Sequence, residues 1–137
     1  MLEKEKITVK NLALTNYEIY LDNAKEQLKK AIKKDNIYTN VKYVRSASGT
    51  LYLGLLIIIE AIIEIKNENN LPKKYDIVEY RKMLGKHNKR WLNNINQAYN
   101  LLHLKGYYSI KGQPFTPKDW EESLSYVNYF LEELKLL

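Results

Sequence analysis

The chain contains no cysteine, which excludes a disulfide framework, a thiol nucleophile and a cysteine-based zinc site. Glycine and proline are scarce, with 5 and 3 in 137 residues of which 45% are hydrophobic. That balance argues against disorder and for a loop-poor helical domain. No uninterrupted apolar run reaches the roughly 18 residues a membrane span needs. The longest runs only from Leu51 to Ile59 before Glu60 and Glu64 intervene. The first residues, Met1-Leu2-Glu3-Lys4-Glu5-Lys6, interleave charges without an apolar stretch of secretory type, so the expected address is the cytoplasm, with no membrane partner. What is abundant is lysine, asparagine, isoleucine and tyrosine. The net charge, 22 − 16 = +6, makes an acidic partner worth considering. The same residue types are favoured by A+T-rich coding, which discounts the charge as a functional signal.

The length is that of one domain spanning residues 1–137. Residues 1–10 carry no helical period and are expected to be a mobile lead-in. Thr15-Asn16-Tyr17-Glu18 has the form of a capping box and places the first helix start there, with an earlier start near Asn11 as the alternative, and Leu21, Ala24, Leu28 and Ala31 continue the inward stripe. After a break at Asp35-Asn36 comes the most apolar stretch. Val44, Ala47, Leu51, Gly54, Ile58, Ala61 and Ile65 form one seam, and Ser48, Tyr52, Leu55, Ile59 and Ile62 a second beside it. Two seams require two or more packing partners, which describes the central helix of a bundle. Its small residues, Ala47, Gly54 and Ala61, mark places where a neighbouring helix comes close.

Asp76 with Glu79 caps a third helix, along which Ile77, Leu84, His87, Trp91, Ile95, Ala98 and Leu102 face inward. Gly85 makes this helix kink, or stop and restart with Asn88 as a new cap. Gly106 reads as a left-handed helix cap, with His103 and Lys105 at the negative end of the helix dipole. Residues 106–115 form a loop anchored by its apolar side chains. Thr116-Pro117-Lys118-Asp119 opens the last helix, and Trp120, Leu124, Val127, Leu131 and Leu134 face inward from it. No alternating strand pattern is present. The expected fold is all-α, an antiparallel four-helix bundle with the third helix kinked or broken near Gly85.

Few residues carry chemistry. Glu60 and Glu64 lie one turn apart, but no glutamate is followed by histidine three residues on, so a di-iron site is not expected. The bland reading is a partly solvated edge. No metal or cofactor is expected elsewhere. His103, Tyr107 and Tyr108 are candidates for a ligand-contacting rim at the bundle end. Lys82, Lys86, Lys89 and Arg90, beside Tyr80 and Trp91, form the densest basic patch and the candidate surface for nucleic acid. Leu53, Leu56 and Ile57 extend apolar surface beyond the two seams of the central helix and are the candidate interface.

Arg81 and His87, with five residues between them, meet the spacing of the Arg-His signature of the HEPN superfamily, the higher eukaryote and prokaryote nucleotide-binding helical bundles. The run from Tyr20 to Leu28 and the stretch from Ser46 to Gly54 resemble its first two helices. This resemblance implies an RNA-binding protein or ribonuclease in which Arg81 and His87 line a dimer cleft, or a partner of a nucleotidyltransferase. In that superfamily the motif lies near the start of the final long helix, whereas here it lies early in the third. A packed histidine beside Trp91 is the structural alternative. A second resemblance, to a small bacterial family of unknown function, is carried by Tyr80-Arg81-Lys82-Met83-Leu84, by Lys89-Arg90-Trp91-Leu92 and by the run from Ala98 to Tyr108. It implies a helical bundle and no known activity. The leading expectation is a non-enzymatic interaction protein acting as a homodimer.

Overall fold

In the computed structural model, which describes residues 1–67, 71–109 and 113–137, the chain forms α1 (Glu3–Lys29), β1 (Lys33–Lys34), β2 (Ile37–Tyr38), α2 (Val41–Lys66), α3 (Ile77–His87) and α4 (Lys89–Ala98). A π-helical segment (Tyr99–Tyr107) continues α4, and α5 (Pro117–Leu136) closes the chain. The class is all-α, as expected, but the helices are divided differently. α1 begins at Glu3, so residues 3–10 are helix rather than the expected mobile lead-in. Thr15 is no cap, because its hydroxyl donates back to the Asn11 carbonyl at 2.9 Å in mid-helix. The break at Asp35-Asn36 is a two-residue hairpin turn pairing Lys33 with Tyr38 and Lys34 with Ile37. Both turn residues take left-handed φ, 53° and 62°, the conformation of a type I′ turn that Asp and Asn tolerate.

Every residue of both predicted seams of α2 is buried. Leu56 and Ile63 are buried as well, so α2 is covered on three sides by α1, the π-helical segment, α5 and α3. By length and mean hydropathy alone α2 could cross a membrane, but 67% of its most apolar window is buried inside this fold. Its small residues set how close the neighbours come. A Cβ on Gly54 would stand 3.1 Å from Cβ of Tyr20 and 3.3 Å from Cδ1 of Tyr17, so α1 lies directly on it. Burial of each Leu or Ile here contributes about 1.5–3 kcal/mol.

The chain leaves helical geometry at Asn88, where φ is −161° and ψ 119°. The Asn88 side chain then accepts from the backbone of Arg90 at 2.8 Å and Trp91 at 3.4 Å, starting α4. Gly85 itself stays within α3. Because the chain turns at Asn88, His87 is exposed and not on the inward face where the spacing put it, whereas Leu84, Trp91, Ile95, Ala98 and Leu102 are buried. α5 starts as its sequence dictates. Thr116 and Asp119 exchange hydrogen bonds of 2.9 and 3.2 Å, with Pro117 at the first helical position. Lys105 lies in the last turn of the π-helical segment, and its ammonium also reaches the Asp119 carboxylate at 2.9 Å. Burial pushes the Asp119 pKa up, but the Lys105 ammonium and the Thr116 donors outweigh it and hold the carboxyl below its ordinary value.

Gly106 is not a left-handed cap either. It is buried within the π-helical segment, and the left-handed residue is Ser109, at φ 53°. What Gly106 supplies is a close approach: a Cβ there would stand 2.3 Å from Oγ and 2.5 Å from Cβ of Ser48. Ile110, Lys111 and Gly112, in the loop expected to pack after Gly106, lie outside the described residues. Gly106→Ala must push the π-helical segment off α2, and we expect it to lower the unfolding free energy by about 1–3 kcal/mol. The measurement is the urea midpoint at constant m value; an unshifted midpoint would mean the two helices are not in such contact.

Candidate functional site

The π-helical segment is stabilised by bonds from residue i to i+5, as between the Tyr108 amide and the His103 carbonyl at 3.0 Å. Such segments are uncommon and recur at functional sites. Here the segment aligns Tyr99, His103 and Tyr107, four residues apart, as a ring stack. Tyr99 and His103 have centroids 4.9 Å apart, and His103 and Tyr107 lie 5.7 Å apart and within 8° of parallel. Tyr108 meets the His103 ring edge-on at 4.8 Å, and Tyr52 of α2 lies against it at 4.7 Å. Beside this cluster opens a pocket of about 530 Å³, walled by Tyr52, Leu53 and Leu56 on one side and His103, Tyr107 and Tyr108 on another. That is the volume of a small-molecule site.

The segment before α3 supplies a further wall through Tyr75 and Ile77. Tyr75 sits at φ 65°, a conformation that costs a bulky residue on the order of 1–3 kcal/mol. It is held there because its amide donates to the Tyr80 hydroxyl at 2.8 Å, and that hydroxyl in turn donates to the Glu60 carboxylate at 2.5 Å. The bond to Glu60 and burial both raise the Tyr80 pKa. The partly buried hydrogen-bond relay thus braces a strained Tyr75 at the edge of the pocket. Glu60 is thereby engaged in structure, and among the described residues no group of three or more His, Asp or Glu side chains could hold a metal ion.

The candidates from the sequence separate cleanly. His103, Tyr107 and Tyr108 are brought together. Arg81 and His87 are not: the Arg81 guanidinium lies 4.3 Å over the Tyr99 ring, behind the aromatic cluster, while the exposed His87 faces the Asn67 side chain at 3.3 Å. Lys82, Lys86, Lys89 and Arg90 are all exposed, and Lys82 is paired with Glu79 at 3.2 Å. Leu56 is only 1% exposed and borders the pocket rather than the outer surface, which corrects its place in the candidate interface. Leu53 forms pocket wall, and Ile57 is half-buried against the core. Tyr52, Tyr75 and Tyr99 were not anticipated as site residues. The four-residue spacing of Tyr99, His103 and Tyr107 was the available signal for one of them.

Fold and site together define an all-α helical-bundle protein with an aromatic pocket at one end of its central helix. The chain belongs to the family described as a domain of unknown function (DUF5618), whose model matches residues 13–119. Its fold is similar to that of a protein of unknown function from Dyadobacter fermentans, with a TM-score of 0.70 and 24% identity over 91% of this chain and 98% of that one. No curated protein matches the chain.

Burial holds the His103 imidazole below its ordinary value of 6.5, so folding favours the neutral ring. The stability this confers is fully present above the unfolded pKa and is lost as pH falls through the folded one. We therefore expect the wild type to lose more stability than His103→Phe, which keeps a flat ring in the stack, on acidification from roughly pH 7 to 5. Equal losses in parallel urea titrations would show that His103 is not desolvated.

Proposed function

We propose that the chain is a non-enzymatic binding protein whose ligand site is the pocket formed by Tyr52, Tyr75, His103, Tyr107 and Tyr108. The observation that carries this reading is the convergence of five aromatic rings from three separate elements on one open cavity of about 530 Å³, one of them in a strained backbone conformation. A folded core does not need those rings to face a cavity, since burying them against neighbours would stabilise it more. His103 is packed among rings, with no carboxylate of the described residues hydrogen-bonded to its nitrogens, which supports holding a ligand over general acid-base work. We also read the fold as a four-helix bundle in which α3 and the rod made by α4 and the π-helical segment together serve as a broken third helix.

The test is ligand-observed NMR with 2-naphthalenemethanol, an uncharged two-ring probe. Binding is expected in the wild type and should weaken at least about tenfold, roughly 1.4 kcal/mol, in Tyr107→Ala. No saturation transfer to the probe, or equal transfer in both proteins, would remove the pocket as the site.

Self-association is a second reading. Leu12 and Ile19, seven residues apart on the outward side of α1, are 62% and 56% exposed, and paired apolar side chains at that spacing suit a helix of a second copy. Light scattering is expected to give twice the chain mass at micromolar concentration and the single mass for Leu12→Asp/Ile19→Asp. A wild-type monomer would end this reading.

A further inference from the structure

We propose that the pocket takes a planar aromatic anion, an aromatic carboxylate being the simplest member of the class; this rests on the pocket being the ligand site. An aromatic cage ordinarily invites a cation, because ring faces carry negative quadrupole charge. Here cations of the protein already occupy or flank those rings. Lys74 lies over Tyr75 at 5.2 Å and Arg45 Nε donates to the Tyr107 carbonyl at 3.0 Å, while Arg81 lies at 4.3 Å over Tyr99, which stacks on His103 without lining the pocket. Among the described residues, the pocket lining itself holds no Asp, Glu, Lys or Arg. Two carboxylates outside the lining have donors of their own: Glu60 accepts from Tyr80, and Asp76 accepts from the Glu79 amide at 3.2 Å to cap α3. A ligand cation would meet Lys74 and Arg45 as positive neighbours of the lining rings, whereas an anion is attracted by both.

The shape selects flatness. His103 and Tyr107, 8° from parallel, are successive rings of a stack that ends at the pocket wall, against which a fused ring can lie. Arg45 is exposed and uses one donor on Tyr107, which leaves its terminal nitrogens to fork a carboxylate at the mouth. The Ser46 and Thr50 hydroxyls on the same side of α2 line the pocket and complete a set of donors.

Three probes of one shape decide it by calorimetry or NMR titration: 2-naphthoate, 2-naphthalenemethanol and (2-naphthylmethyl)trimethylammonium. We expect naphthoate to bind at least tenfold tighter than the alcohol, and the ammonium weakest. Arg45→Gln should remove most of the naphthoate advantage, read as the ratio of naphthoate to alcohol affinity measured on the same variant, so that any shift of the Tyr107 wall acts on both probes. Equal affinities, or a preference for the ammonium, would overturn the charge assignment while the pocket stands as a site. An Arg45→Gln variant in which that ratio is unchanged would overturn the assignment too. Binding of none of the three would overturn both this inference and the reading on which it rests.

Discussion

A 26-residue helix with apolar side chains on three sides cannot face water, and covering α2 is the constraint that places every other helix. Leu51, Leu55, Ile58, Ile59 and Ile62 are wholly buried. No single amphipathic helix could cover them, because one helix offers one stripe. α1 takes the side opened by Gly54, and the π-helical segment takes the side opened where Gly106 meets Ser48. α5 and α3 close the rest.

The pocket follows from how that cover ends. The π-helical segment stays against α2 only as far as its last turn, and Gly49 receives the Tyr107 ring so closely that a Cβ would stand 2.7 Å from Cδ1. Alongside that contact α2 presents Ser46, Thr50, Leu53 and Leu56 to the pocket. Tyr75, held at positive φ by Tyr80, reaches across from the other side without closing the gap. The site is therefore the seam between two covering elements, and its rings come from each of them. Ligand sites arise at such seams because packing is incomplete where elements diverge.

The same geometry separates the two histidines. His103 is locked between tyrosines, while His87 projects outward because Asn88 ends α3 and turns the chain. Arg81, six residues before His87, is drawn inward by the Tyr99 ring. A cation over an aromatic face is worth up to about 2 kcal/mol when desolvated, which ties this arginine to the aromatic cluster and away from His87.

The sequence by itself determined the helical class, the two seams of α2 and the caps at Asp76, Asn88 and Thr116, because each depends on spacing or on a local hydrogen bond within four residues. It also drew attention to His103, Tyr107 and Tyr108 through their clustering along the chain. It misplaced the start of α1, since a Thr-x-x-Glu pattern inside a helix looks the same as one at its end; only tertiary burial of residues such as Ala13 and Tyr17 holds the preceding turns helical. It read Gly106 as a cap because glycine marks both left-handed turns and close approach, and only the position of Ser48 on another helix distinguishes them. The partnership of Tyr52 and Tyr75 with His103 was decided by tertiary structure alone. Those residues lie far apart in the chain, and no local energy term relates them until α2 is covered.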